Sequence, residues 1–359
     1  MTFHAPGERE AEDRAWEVVR AAYEQREPVS WPRRHWQPLV AVAVVAAVVA
    51  AAFSPPGRSV VHSLREAVGV KQAEQGLFSL PATGQLLVTS REGAWLVHAD
   101  GSKRLLGRYR DASLSPHGLF VAGTRANQLV VLDPQGNVRW TLARSAPRFP
   151  AWTGTRTDTR IAYVSGSRLR VVAGDGTGDH ALRRAAPVAP AWRPGPGRVL
   201  AYSDGRDAVV VDADTGAVLR RLAPKPTKLA WSRDGRLLLV FSPSKTRVYD
   251  GRRVVAADDP SEATVDRDAT FAARNDIVAA RAAGNGSSVF SLVSGRTFFR
   301  GTGVFDQLAS SPDGGWLLVS WPTANQWVFV RLHPRKIVGV ARITQQFGRS
   351  ARIAGWCCG

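Results

Sequence analysis

A repeat of about 39 residues runs through most of this chain and decides what it can fold into. Clear copies begin at Pro150-Ala151-Trp152, Pro190-Ala191-Trp192, Leu229-Ala230-Trp231 and Leu308-Ala309-Ser310, each followed by apolar runs such as Leu237–Val240 and Trp316–Val319. Phe78, Leu114, Trp152, Trp192, Trp231, Phe271 and Ser310 then serve as unit anchors, spaced by 36, 38, 40, 39, 40 and 39 residues. That makes seven units. Each reads as a strand, a short Gly/Asp turn, an apolar strand, a polar loop, a second apolar strand and a Gly turn. Val, Ile, Leu and aromatic residues come in runs of four or five between turn residues, and helical periodicity is missing from the units.

A period near 40 with several strands per unit is that of a β-propeller blade. The expected fold is therefore all-β: a seven-bladed β-propeller over residues 76–359, preceded by a single transmembrane helix and a short cytoplasmic helix. Trp152, Trp192 and Trp231 read as packing between blades rather than as ligand-stacking residues. After Ser310, 49 residues remain, more than one unit. Ala351–Trp356 repeats the lead-in seen at Lys228–Trp231. This predicts that residues 351–357 form a strand of the first blade beside residues 77–88, with Trp356 packed between the first and last blades.

The stretch from His35 to Gly57 carries no full charge, and Trp36–Pro55 supplies the ~20 apolar residues that a membrane helix needs. Pro55-Pro56-Gly57 ends it. Arg33 and Arg34 before it place the N-terminus in the cytoplasm and the propeller outside. The expected divisions are a cytoplasmic segment 1–35, a membrane helix 36–56, a linker 57–75 and the propeller 76–359. Within the first, residues 9–27 have the Ala15, Trp16, Val19, Ala22, Tyr23 spacing of a short amphipathic helix. A cleaved signal peptide with Ala50-Ala51-Ala52 as its small-residue site is the alternative. Arg33-Arg34 also has a faint likeness to a twin-arginine signal, from which Pro32 and Pro38 depart.

The formal net charge is +18, and residues 1–36 contribute −1 of it, so the excess lies in the propeller. Nearly all of it is arginine. No Lys/Arg run exceeds two and no nucleic-acid motif occurs, so no nucleic-acid partner is expected. An anionic cell-envelope polymer remains open as a partner.

No catalytic, cofactor or metal site is expected, and no cofactor. His98, His117, His180 and His333 fall in different units, which does not converge a metal site. Asp212 and Asp214 around Thr215-Gly216, and Asp258-Asp259, read as turn chemistry. Asn285-Gly286-Ser287 fits a glycosylation sequon and reads as a turn. Cys357 and Cys358, the two cysteines of the chain, are open to a vicinal disulfide, to pairing between chains, or to an incidental role.

Ser232-Arg233-Asp234-Gly235, with Ser311-Pro312-Asp313-Gly314 and Ser115-Pro116-His117-Gly118, resembles the turn of WD40-like and TolB-type bacterial propeller repeats. Leu132–Trp140 and Val211–Leu219 are also similar to pyrroloquinoline-quinone-like repeats. Over about residues 76–356 the chain resembles membrane-anchored WD40-like propeller proteins of actinobacteria. WD dipeptides are missing, so the hydrogen-bond tetrad of eukaryotic WD40 repeats is not carried over. Some quinoprotein dehydrogenases hold a vicinal disulfide over their cofactor; here the cysteine pair lies one residue from the C-terminus. The resemblance implies a membrane-tethered, extracytoplasmic, non-enzymatic binding, scaffold or sensing module with a protein partner. The alternatives are a transmembrane subunit signalling to a cytoplasmic regulator such as a sigma factor, and a quinoprotein-like or lactonase-like enzyme. Residues 1–36 lack the His-x3-Cys-x2-Cys zinc pattern of common anti-sigma factors.

Overall fold

The computed structural model of the chain describes residues 79–155, 158–195 and 197–358. It is a ring of seven four-stranded antiparallel sheets. The first sheet takes β1 (Gln85–Thr89), β2 (Ala94–Val97) and β3 (Lys103–Gly107). The second is β4 (Asp111–Leu114), β5 (Val121–Arg125), β6 (Gln128–Leu132) and β7 (Val138–Ala143), and the third is β8 (Pro147–Gly154), β9 (Thr159–Ser165), β10 (Arg168–Ala173) and β11 (His180–Arg184). The fourth is β12 (Ala191–Trp192), β13 (Val199–Ser203), β14 (Ala208–Asp212) and β15 (Val218–Leu222). The fifth is β16 (Lys228–Trp231), β17 (Leu237–Ser242), β18 (Lys245–Asp250) and β19 (Arg253–Asp258). The sixth is β20 (Thr264–Phe271), β21 (Ile277–Ala283), β22 (Gly286–Ser291) and β23 (Thr297–Thr302). The seventh is β24 (Gln307–Ser310), β25 (Trp316–Trp321), β26 (Gln326–Arg331) and β27 (Lys336–Ala341). A five-residue helix, α1 (Ile343–Phe347), leads to the final strand, β28 (Arg352–Cys357).

β28 returns to the first sheet and pairs antiparallel with β1, Leu86 opposite Trp356 and Val88 opposite Ile353. It is the innermost strand there. β28, β4, β8, β12, β16, β20 and β24 touch in that order around the ring, and β24 meets β28 again. The expected closure is what the structure has, and Trp356 fills the anchor position of the first blade. Phe78, taken as that blade's anchor, lies outside the described residues. So do the membrane segment 36–56 and the helix expected over 9–27. Among the described residues no helix is long and apolar enough to cross a membrane.

Two features depart from expectation. Each blade has a fourth, outer strand that the three-strand pattern omits. The second and third strands of a blade are buried on both faces by neighbouring blades, so they read as continuous apolar runs: all six residues of β25 are buried. The outer strand loses that cover, and β15, Val-Leu-Arg-Arg-Leu, is exposed at most positions. The polar stretch 344–350 in turn begins inside α1, whose Ile343 and Phe347 are buried one helical turn apart.

The Ser-x-Asp-Gly turns build themselves from side chains. Ser232 Oγ accepts from Leu237 N at 2.9 Å and donates to Asp234 Oδ1 at 2.6 Å, which also accepts from Arg236 N at 3.0 Å. Ser311 and Asp313 repeat this with Trp316 N and Gly315 N. Gly314 is required twice over: its φ is +71°, and a Cβ there would stand 2.9 Å from Ala273 N in the preceding blade.

Candidate functional site

The ring of inner strands encloses a central channel. The residue before each anchor is small (Ser113, Ala151, Ala191, Ala230, Thr270, Ala309 and Gly355), and Ala151, Ala191, Ala230 and Ala309 pack against the apolar clusters between blades. At the end where the Ser-x-Asp-Gly turns lie, a cavity of about 860 Å³ is lined by Ala230, Trp231, Thr270, Ala309, Ile353, Ala354 and Gly355, with Arg233, Asp234, Arg274, Asn275 and Asp313 at its polar edge. Asn275 Nδ2 donates to Asp234 Oδ2 at 2.8 Å. The Ser232 hydroxyl, the Arg236 amide and Asn275 together hold the Asp234 carboxyl down at about 2. Asp313 is lowered likewise, chiefly by Ser311. Both turns therefore present anionic groups at neutral pH beside the cations Arg233 and Arg274. Arg274 and Asn275 hold left-handed φ values of 58°.

An inner strand has no partner on its channel side, so its free amides need other acceptors. Side chains of the neighbouring blade supply them: Asp111 accepts from Phe149 N at 3.2 Å, Asp268 from Leu308 N at 2.8 Å, and Gln307 Oε1 from Ile353 N at 3.0 Å. Arg148 and Lys228 neutralise Asp111 and Asp268 in turn. These charges bind the ring together.

The residues singled out from sequence fall between blades. Trp192 Nε1 donates to Ala151 O at 2.9 Å and Trp231 Nε1 to Ala191 O at 3.1 Å, each reaching the inner strand of the preceding blade. Trp152 lies between the second and third blades, and Trp356 between the first and seventh; neither indole nitrogen has a partner. Trp231 also lines the channel cavity, with the Arg193 guanidinium 6.0 Å from its ring centre. Cys357 and Cys358 are joined in a vicinal disulfide. It does not line the channel cavity but sits where the first blade meets the second, both sulfurs near the carbonyl of Ser115, at 3.6 and 3.2 Å.

His98, His117, His180 and His333 lie apart, and no three metal-ligating side chains come together among the described residues. Asp212 caps its own turn, accepting from the amides of Asp214 and Thr215. Asp258 and Asp259 do otherwise than expected: they are ion-pair partners, Asp258 of Arg281 and Asp259 of Arg247.

A second cavity, of about 320 Å³, opens at the other end of the inner strands, where the ring is closed. Asp306, Ser320, Asn325, Gln326, Thr344 and Arg352 line it. Sequence reasoning passed over these residues. The signal that points to them is the extra length between Ala341 and Arg352, which no other unit carries.

No protein-family model and no curated protein matches the sequence. Similarity appears among solved structures. Hydrazine synthase from Kuenenia stuttgartiensis superimposes with a TM-score of 0.51 at 15% identity, over 62% of this chain and 76% of that one. The Cps50 (Swd1) β-propeller domain of Myceliophteria thermophila gives 0.50 at 13% identity, over 64% and 84%. The Pan2 WD40 domain of Neurospora crassa gives 0.49 at 10% identity, over 65% and 79%. The chain is a seven-bladed β-propeller. In all, 881 solved chains match it, so the likeness fixes the architecture and selects no activity.

Proposed function

We propose that this chain is a membrane-tethered, extracytoplasmic propeller that works as a non-enzymatic binding or sensing module, with a protein partner seated on the turn-side mouth of the channel. The observation that carries the binding part is the 860 Å³ cavity with Trp231 in its wall and charged groups of both signs at its edge. A partly exposed aromatic beside polar groups, held on a rigid ring, is the composition of a protein-binding hot spot. The tether rests on the uncharged 36–55 stretch and the basic residues before it.

Arg110, Arg267 and Arg352, exposed at the other end of the inner strands, support contact there with an anionic envelope polymer. A signalling role through the cytoplasmic segment is compatible with the same topology.

The test places a photo-crosslinking residue at Arg274, on the cavity edge, or at Val254, on an outer strand, in the full-length chain in the cells that make it. The reading expects a discrete adduct from position 274 alone, in membranes that retain the protein through carbonate extraction. Release of the full-length protein by carbonate would refute the tether. Equal or absent crosslinking at the two positions would refute the mouth as the binding surface.

A further inference from the structure

The two ends of the ring differ in what they expose. Phe120 is the only exposed aromatic ring among the described residues, and it stands in a turn at the Ser-x-Asp-Gly end, beside exposed Leu119. Val138, Val218 and Val293, also exposed, lie at or next to turns of that same end. Of the exposed large apolar side chains among the described residues, Val265 alone stands where the inner strands begin.

Arginine takes their place at that second end. The residue four before the anchor is Arg352 on blade 1, Arg110 on blade 2, Arg148 on blade 3 and Arg267 on blade 6. The inner strands of blades 1, 2 and 3 touch in turn, so three of these arginines stand on consecutive blades. Blade 7, between Arg267 and Arg352, carries Asp306 at the same position.

The inner-strand carboxylates there are already held. Asp111 pairs with Arg148, Asp268 with Lys228 and Asp266 with Arg281. Arg110 and Arg267 are exposed, and among the described residues their guanidiniums have no ion-pair or hydrogen-bond partner. Arg352 is exposed as well, and its charge acts on Asp306, whose carboxyl burial pushes up. Three cations are therefore left over at one mouth of the ring.

We propose that this mouth binds a hydrophilic anionic glycopolymer, a chain bearing repeated phosphodiester or carboxylate groups, through Arg110, Arg267 and Arg352. This deepens the polymer contact proposed above for these arginines and does not depend on the turn-side partner. A guanidinium is a planar fork of donors that fits either oxyanion two-pronged. The arginines are spread over blades 6, 1 and 2, so a small anion meets one or two of them, while a chain with charges along its length meets all three. A protein partner needs a buried aromatic or similar anchor, and single-stranded nucleic acid needs rings for its bases. This end exposes neither.

The test is fluorescence anisotropy on the purified full-length chain in non-ionic detergent. Its labelled probes are poly(glycerol phosphate) and oligogalacturonate, with neutral dextran and a single-stranded DNA of equal charge beside them. One or both glycopolymers bind, and affinity falls steeply between about 50 and 200 mM salt. The Arg110→Gln/Arg267→Gln/Arg352→Gln variant binds at least about tenfold more weakly, and its slope against the logarithm of salt falls by about three, roughly one per arginine. Arg253→Gln, an exposed arginine of the outer strand β19, changes neither. The tighter of the two glycopolymers names the oxyanion. Thermal midpoints stay level, because the three side chains hold nothing else in place. Failure of either glycopolymer to bind, binding unchanged in the triple variant, equal binding of dextran, or tighter binding of DNA would each overturn the proposal. The crosslink at position 274 is read separately, so a surviving adduct with no polymer binding sinks this interface and leaves the turn-side one standing.

Discussion

The indole nitrogen of Trp231 donates to the carbonyl of Ala191 at 3.1 Å, 40 residues earlier and one blade back. Trp192 does the same to Ala151 at 2.9 Å, 41 residues back. The repeat length is therefore also the span of a hydrogen bond, and each bond ties one blade to the next.

Trp152 offers a built-in control. It is as buried as Trp192, both 8% exposed, but its indole nitrogen has no partner. Trp192→Phe removes a bond and strands a carbonyl, so it is expected to cost about 1 kcal/mol more than Trp152→Phe, which removes only ring volume. Urea unfolding of the two variants beside the parent measures the difference. A larger loss in Trp152→Phe would show that the bond does not contribute.

The vicinal disulfide is expected to matter little to closure. It links residues one apart, so it restrains the unfolded chain hardly at all. The pairing of β28 with β1 runs through backbone, from Gln85 opposite Cys357 to Thr89 opposite Arg352. Reduction, or the Cys357→Ser/Cys358→Ser double variant, should leave the melting midpoint within a few degrees of the parent. Differential scanning fluorimetry with and without reductant checks this. A drop as deep as that of the truncation argued below would assign the sulfurs a structural role through their contact with Ser115.

Much of the ring could be read before any coordinates because its anchors are buried aromatics at equal spacing. Trp152, Trp192 and Trp231 mark inner strands, and Trp356 betrays the closing strand by the same lead-in. An outer strand such as Val218–Leu222 was hidden for a physical reason: it has no blade face to cover it, so it carries no apolar run. α1 was hidden because a five-residue helix shows one repeat of its own period, Ile343 and Phe347. The seam cavity has no local pattern at all. Asp306, Gln326, Thr344 and Arg352 meet only because the ring closes there, and polar residues at such spacing resemble any loop.

Asp266 supplies a pH-dependent term. Its side chain is buried, and Arg281 Nε bonds its Oδ1 at 2.7 Å while the same guanidinium also holds Asp258. Burial first, with the nearby Asp258 charge adding to it against Arg281, raises the Asp266 carboxyl to about 6. The unfolded chain titrates near 3.9. The folded protein thus binds this proton more tightly, and the group's stabilising contribution is full below about pH 4 and lost as pH rises through about 6. Asp258→Asn removes the neighbouring negative charge and should move the Asp266 midpoint down. Carboxyl-carbon NMR titration reads it directly. A midpoint at or below 4 in the parent, or one unmoved by the variant, would contradict the account.

Closure itself gives the largest expected effect. Without residues 351–359, β1 loses its inner partner and becomes an edge strand, and Leu86 and Val88 lose the cover of Trp356 and Ile353. Trp356 meets Phe329 of blade 7 edge to face, ring centres 5.5 Å apart, so the seam between first and last blades goes with it. The bond from Ile353 N to Gln307 Oε1 is lost as well. Each large side chain uncovered costs roughly 1.5–3 kcal/mol, and three or more are involved, so the loss is a large share of the roughly 5–15 kcal/mol that holds a domain together. A chain ending at Ser350 should therefore melt well below one ending at Gly359, and as a whole, since every blade leans on two neighbours. Trp356→Ala should fall between the two. Equal midpoints for the truncated and complete chains would mean that β28 decorates the ring without closing it.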